Sequence, residues 1–370
     1  MPSLPALKHA IPVLVGLALL LLLAAVALSL PVRVWRTGEI GLSPLPLVRG
    51  HPPTAPDAPV WIDTDPACGH ARRSDPDDCL ALLILARSGL KIAGLSSTFG
   101  NAPLAVTDPT LRELRDQIIG EGQTLPEITA GAASPEDQGA NRAAEALRAE
   151  LEVRPLVILA LGPLTNIAAA LRGRPDLQRR VVRLVAVMGR RPGHLFHPAE
   201  GHPGGMLFGH GPVFRDLNFE KDRAAAREVM SMDLPVTLVP YDAARRVMLK
   251  GADLDVMGES GGAGAWVAAR SRGWLGFWKD EVGRPGFYPF DALAALHVLA
   301  PEAFGCARVR AEVRRDKGLR AFPFRPLALL VSEHTERSGP ERLYCPAVEA
   351  GLHGRLMHAL KGEPAAHPAR

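Results

Sequence analysis

The chain has 370 residues, too many for one small domain and enough for a large α/β unit with an appendage. Apolar residues make up 47% of it, so a sizeable core is available. The net charge is only +4, and no Lys/Arg block is interleaved with aromatic residues, which argues against a nucleic-acid-binding surface.

In chain order, residues 10–32 read AIPVLVGLALLLLLAAVALSLPV, with no charged residue. That is about the ~20 residues a helix needs to cross a bilayer, and more than the roughly 7–15 of a signal-peptide core. A single-pass membrane anchor within residues 1–36 is therefore expected. A signal peptide cleaved near Ala25-Val26-Ala27 is the alternative. Lys8 precedes the span and Arg33 and Arg36 follow it, so the side of the membrane stays open. Residues 37–57 are rich in Pro and Gly without periodicity and read as a linker.

Residues 58–361 alternate short apolar runs with helical patterns, and 362–370 read as a disordered tail. Strands are expected at Pro59–Asp63, Lys91–Ser97, Leu156–Leu161, Val181–Met188 and Pro235–Pro240. Helices are expected at Asp77–Arg87, Pro109–Ile119, Asn141–Leu151 and Leu164–Leu171. This alternation implies an α/β fold: a doubly wound, mainly parallel sheet flanked by helices. Ligands bind such sheets beyond the carboxyl ends of the strands. The Gly/Pro-rich stretch from Gly189 to Asn218 is long for a loop and reads as a lid. Its histidines, His194, His197, His202 and His210, match no standard zinc spacing. The four cysteines Cys68, Cys79, Cys306 and Cys345 form no CxxC pair, so free buried thiols are expected, with disulfides only in an exported domain.

One stretch carries the chemistry. In 62-IDTDPACGHARRSDPDDCLALLILA-86, five aspartates (Asp63, Asp65, Asp75, Asp77, Asp78) fall within sixteen residues, between a strand-like and a helix-like apolar run. Carboxylates gathered at buried elements repel one another, so a cation is expected to hold them together. A carboxylate site without thiolate or imidazole suits a hard ion such as Ca²⁺ or Mg²⁺.

Asp63-Thr64-Asp65-Pro66 with Asp77-Asp78, Phe99-Gly100-Asn101, 161-LGPLTNIAAAL-171, 187-VMG-189, 216-DLNFEKD-222 and 290-FDALAAL-296 together resemble, in order, the inosine/uridine-preferring nucleoside hydrolases. The resemblance runs over nearly the whole chain after the linker. It implies a nucleoside hydrolase-like fold, a Ca²⁺ cofactor, a nucleoside substrate, and N-glycosidic hydrolysis by a metal-bound water. Asp65, Asp78, Asp291 and the main-chain oxygen of Thr165 would hold the ion, with Asp65 also the catalytic base. Asp77, Asn101, Asp216 and Asn218 would bind the sugar. Oligomerisation is common in the family, which makes a homo-oligomer a further expectation. Asp291 also precedes a helical run and could equally be an N-cap.

The chain departs from the family pattern in three places. ACGHARRSDP replaces a shorter Gly-x between Pro66 and the paired aspartates, which would bring Arg72 and Arg73 near the pocket mouth. His210 stands where Asn is usual, and Asp216 where Glu is common. Phe290 replaces a histidine that can protonate a purine leaving group. Tyr288 or one of the loop histidines, His210 among them, is the expected substitute acid, unless the base leaves without one. Trp274, Phe277 and Trp278 could stack a base or form one buried helix face. Two alternatives stand beside the hydrolase: a catalytically weak, membrane-anchored nucleoside-binding module, suggested by Phe290, and a haloacid-dehalogenase-type phosphatase, suggested by DxD. Against the second, Pro66 follows DxD at once and the paired aspartates come early.

Overall fold

A computed structural model describes residues 15–25, 45–49, 58–137, 141–192, 215–317, 326–333 and 340–362. The N-terminal helix α1 covers 15–25 and is exposed. Among the described residues no helix is long and apolar enough to cross a membrane. The expected membrane anchor and membrane localisation are corrected accordingly; the rest of the 10–32 run lies outside the described residues.

The chain continues through β1 (Val48–Arg49), β2 (Val60–Thr64), α2 (Asp77–Arg87), β3 (Ile92–Ser97), α3 (Leu104–Gly120), β4 (Ile128–Ala130), α4 (Arg142–Val153) and β5 (Leu156–Ala160). It then forms α5 (Thr165–Leu171), α6 (Pro175–Gln178), β6 (Val181–Ala186), α7 (Leu217–Lys221), α8 (Arg223–Ser231), β7 (Val236–Leu238) and α9 (Tyr241–Ala244). The last part comprises β8 (Leu249–Lys250), α10 (Gly251–Glu259), α11 (Gly262–Phe277), β9 (Gly286–Phe287), α12 (Phe290–Leu299), β10 (Phe304–Arg315), β11 (Leu327–Glu333), β12 (Arg342–Val348) and α13 (Leu352–Lys361).

The main sheet runs β1-β10-β12-β7-β6-β5-β2-β3-β4, with β11 also on β10. From β12 to β4 every pairing is parallel, while β10 pairs antiparallel with β1, β11 and β12. Side chains alternate across a strand, and here they divide into two cores. Val60, Ile62, Val157, Leu159 and Val185 pack with α2, α3, α11 and α12 on one face. Trp61, Ile158, Ala160, Leu184 and Ala186 pack with α4, α5 and α8 on the other. Strands covered on both faces read as continuous apolar runs, which is why the sequence marks them well.

α2 is buried from Asp77 to Ala86, as an apolar-all-round helix must be. Asp77 and Asp78 occupy its first turn, where the helix dipole favours negative charge. α3 begins at Leu104 rather than at the expected Pro109, which lies inside it. The expectation of free cysteines is overturned. Cys68 is bonded to Cys79, and Cys306 to Cys345 across the β10–β12 pair.

Candidate active site

The order of the sheet makes one point of it a natural binding crevice. From β2 the chain proceeds outward to β3 and β4; from the adjacent β5 it proceeds the other way to β6 and β7. The crossover helices α2 and α3 cover one face, α5 and α8 the other. The chain therefore diverges at the carboxyl ends of β2 and β5, the switch point where ligands bind in open α/β sheets. β2 delivers Asp63 and Asp65 there, β3 leads to Asn101, and β5 leads to Thr165.

The buried start of α2 brings Asp77 and Asp78 to the same place, and α12 adds Asp291 from more than two hundred residues away. Carboxylate oxygens of Asp77, Asp78 and Asp291 lie within 4.8 Å of one another, and all three residues are buried. Hydrogen bonds hold them there. The Asp291 N–H donates to Asp77 Oδ2 at 3.1 Å, and the Asp78 N–H to Asp77 Oδ1 at 3.1 Å. Asp78 Oδ1 accepts from the Thr64 hydroxyl at 2.5 Å and the Asp65 N–H at 3.0 Å. Asn101 links Asp65 to Asp78: its N–H donates to Asp65 Oδ2 at 2.8 Å and its side-chain amide to Asp78 Oδ2 at 2.8 Å. Gly100 makes this approach possible, because a Cβ there would lie 1.7 Å from Asp65 Oδ2.

Burial pushes all of these carboxyls up. For Asp65 it is joined by the charge of Asp78, and for Asp291 by the charges of Asp77, Asp78 and Asp65. Asp77 is raised to about 7 by burial and then by Asp78. Burial also raises Asp78, although hydrogen bonds from Thr64, Asp65 and Asn101 oppose the shift. Carboxylates crowded in a dry interior are costly unless a cation neutralises them. The donors are all oxygens, so a hard divalent cation fits the residues present.

A cavity of about 430 Å³ opens above the cluster. Asp75, Asp77, Asn101, Asp216, Asn218 and Asp291 contribute to its polar part, and Tyr241, Trp274, Phe277 and Phe290 to its aromatic part. Asp216 Oδ2 accepts from the Gly189 N–H at 2.7 Å, and burial raises its carboxyl to about 7. The Asn218 amide donates to the carbonyls of Leu161 and Val187. The Thr165 hydroxyl donates to Asp222 Oδ2 at 2.7 Å, which fixes this residue at the start of α5.

The structure thus brings Asp65, Asp77, Asp78, Asn101, Asp216, Asn218 and Asp291 to one crevice, with Thr165 at the adjoining start of α5. Asp291 is not an N-cap, since Pro289 takes that position and Asp291 falls inside the first turn. Trp278 and Tyr288 are fully buried and pack edge-to-face on one another, whereas Trp274 and Phe277, stacked at 4.9 Å, line the cavity with Tyr241 and Phe290. His210 and the other loop histidines lie outside the described residues.

Sequence reasoning missed the supports behind the site. Asp63 Oδ1 accepts from Ser96 Oγ and Asn166 Nδ2, and Asn166 Oδ1 accepts in turn from Ala132 N–H and Asn141 Nδ2. Asp222 both receives the Thr165 hydroxyl and caps α8 through Ala225 N–H. Asp75 and Tyr241, also on the cavity wall, were not singled out as pocket residues by pattern. The adjacency of Asn166 to Thr165 was the one available signal.

Residues 60–322 match the model of the family described as inosine-uridine preferring nucleoside hydrolase. The pyrimidine-specific ribonucleoside hydrolase RihA of Salmonella typhi is 26% identical over 278 residues, 66% of this chain and 81% of that protein. The fold is similar to that of a plant nucleoside hydrolase, the PpNRh1 enzyme, with a TM-score of 0.65 and 19% identity over 84% of this chain and 100% of the other. It is also similar to a purine-preferring ribonucleoside hydrolase from Gardnerella vaginalis, with a TM-score of 0.61 and 15% identity over 82% and 98% of the two chains.

Proposed function

We propose that this chain, which belongs to the inosine-uridine preferring nucleoside hydrolase family, cleaves ribonucleosides to ribose and free base with calcium as its ion. Membership makes it an enzyme of N-glycosyl bond hydrolysis and sets aside the phosphatase alternative. The ion, the preferred base and the role of each residue are the proposal. The observation that carries it is the buried Asp77, Asp78 and Asp291 cluster opening into an aromatic-walled cavity.

Asp65, Asp78, Asp291 and the Thr165 main-chain oxygen would hold the calcium, with Asp77 beside them. When bound, the ion supplies positive charge that neutralises the cluster and lowers the pKa of a neighbouring water. Asp65 takes the proton as water oxygen bonds to C1′ of the sugar. The C1′–N bond breaks with its electron pair going to the base. Positive charge develops on the sugar in the transition state, and the surrounding carboxylates are already oriented to meet it.

Sugar hydroxyls would be gripped by Asp77, Asn101, Asp216 and Asn218. Both asparagines have side-chain donors committed, Asn101 to Asp78 and Asn218 to two carbonyls, so each turns its amide oxygen to a hydroxyl. Asp216 is oriented by Gly189 N–H in the same way. Trp274, Phe277, Tyr241 and Phe290 offer ring surface to the base.

Phe290 cannot donate a proton, which favours pyrimidine over purine leaving groups. The pyrimidine specificity in the name of the RihA relative points the same way. Phe290 also keeps a nucleoside-binding module as the second reading. The deciding assay is ribose release from a purine and pyrimidine panel, with calcium, with chelator and with Asp78→Ala. Release from uridine or cytidine that disappears with chelator and in the variant is the expected result. Binding without release would leave only the binding module.

A further inference from the structure

Between Asp65 and Asp77 the chain makes an excursion that is fastened at both ends. At its base Cys68 and Cys79 close a disulfide across a sequence separation of 11, and both residues are buried. Cys79 directly follows Asp78, and Cys68 stands shortly after Asp65. The bond therefore ties together two of the segments that carry the ion-site carboxylates, the third being the start of α12 with Asp291.

At its tip the excursion docks on the aromatic wall. Arg72 donates to Asp280 at 2.5 Å and to Glu281 at 2.9 Å, and Arg73 donates to Glu281. The Arg73 guanidinium also lies 5.5 Å from the centre of the Phe277 ring. Gly273 of α11 admits the loop backbone, since a Cβ there would come within 3.3 Å of the Arg72 Cα. Arg73, Ser74 and Asp75 of the excursion line the cavity.

The two fastenings differ in strength. The ion pairs at the tip are largely exposed, and exposed pairs contribute little. The covalent link is the constraint that persists. Without it, the segment between Asp65 and Asp77 regains the conformational freedom of an open loop. Asp65 and Asp78 would then be held against their own repulsion only by the hydrogen bonds through Thr64, the Asp65 N–H and Asn101, so part of the ordering would be left to ion binding, at a cost that a preorganised site avoids.

We propose that the Cys68–Cys79 disulfide is a positioning element of the ion site. It holds Asp65 and the Asp77–Asp78 helix start in register, so that the chain binds its divalent cation at full affinity only when that bond is closed. This rests on the calcium reading above. The second disulfide, Cys306–Cys345, joins β10 to β12 and contributes no residue to the cavity lining among the described residues, so it serves as the control.

The test is calorimetric titration of calcium chloride into the full chain, the double variant Cys68→Ser/Cys79→Ser, and the control Cys306→Ser/Cys345→Ser. The expected result is a Kd about tenfold weaker for the first variant, about 1.4 kcal/mol, with the control within about twofold of the parent. A first variant within about twofold of the parent overturns the proposal, as does a control that weakens equally. Should Cys68→Ser/Cys79→Ser not fold, the parent chain is titrated after phosphine reduction, with alkylation mapping to identify the opened bond. An open Cys68–Cys79 bond with an unchanged Kd would then overturn it. Calcium binding without ribose release from any nucleoside would refute the hydrolase reading alone, and the Kd ratio would still decide the role of the disulfide.

Discussion

Without a bound divalent cation the protein should lose stability as pH rises, the reverse of what paired surface carboxylates do. Asp77 is buried, and burial together with Asp78 raises its carboxyl from 3.8 to about 7 in the metal-free fold. Between those two values the folded chain holds a proton that the unfolded chain has released. Stability therefore falls with rising pH; it is fully present below the unfolded value and is lost as pH passes the folded one. Integrated from about pH 5 to about pH 8, one such group costs about 3 kcal/mol, or roughly 5 °C in Tm for a domain of this size. The measurement is thermal unfolding in chelator, followed by circular dichroism across that range, and repeated with saturating calcium. Calcium should abolish most of the decline, because the bound ion takes the place of the proton. A metal-free Tm that is level or rises towards pH 8 would refute the argument that uncompensated carboxylates are crowded at this site.

Asp78→Ala should abolish ribose release, lowering kcat by about 10³-fold or more, and should make the metal-free fall of Tm towards pH 8 shallower, because the charge that helps raise Asp77 is gone. An unchanged pH slope in chelator would contradict that account. Gly100→Ala places a Cβ 1.7 Å from Asp65 Oδ2 and so must push the carboxylate proposed as the base aside by more than an ångström. A displacement of that size predicts about a 10²-fold fall in kcat, read by steady-state ribose release. Asn166→Ala removes the amide that joins Asp63, Ala132 and Asn141, leaving buried groups unpaired. It should cost roughly 3 kcal/mol in urea unfolding. Phe290→His should raise purine ribonucleoside turnover by about 10²-fold with little change for uridine, if a missing general acid is what limits purines.

How much of this was legible in the sequence follows from the range of each interaction. α2 and α5 begin and end within a residue of expectation, because they are apolar all round and bounded by turn-forming residues. The strands β2, β3 and β5 were equally clear as short buried runs. α3 begins five residues ahead of the expected Pro109, and packing against the sheet carries the helix through the proline. β10, β11 and β12 were not assigned. β10 nevertheless alternates buried Val309 and Ala311 with outward Arg308 and half-exposed Arg310, a period-2 signal that arginine content obscured. The apolar N-terminal run misled in the opposite sense, since length and hydropathy alone suggested a span that no described helix supplies.

The site divides along the same line. The acidic run was conspicuous because one short stretch holds Asp63, Asp65, Asp75, Asp77 and Asp78, and its electrostatic cost could be argued without coordinates. The contact between Asp291 N–H and Asp77 Oδ2 spans 214 residues and depends on α12 packing against α2, which no local pattern encodes. The same holds for Asn166 behind Asp63 and for Asp222 behind Thr165. These supports matter because a metal site needs its carboxylates held at fixed separation before the ion arrives. Local sequence announces the charges, and the long-range packing of polar neighbours makes their proximity tolerable. The carboxylates that are costly to bury here are the ones proposed to hold the ion, which is why stability in chelator is as direct a probe of this site as turnover.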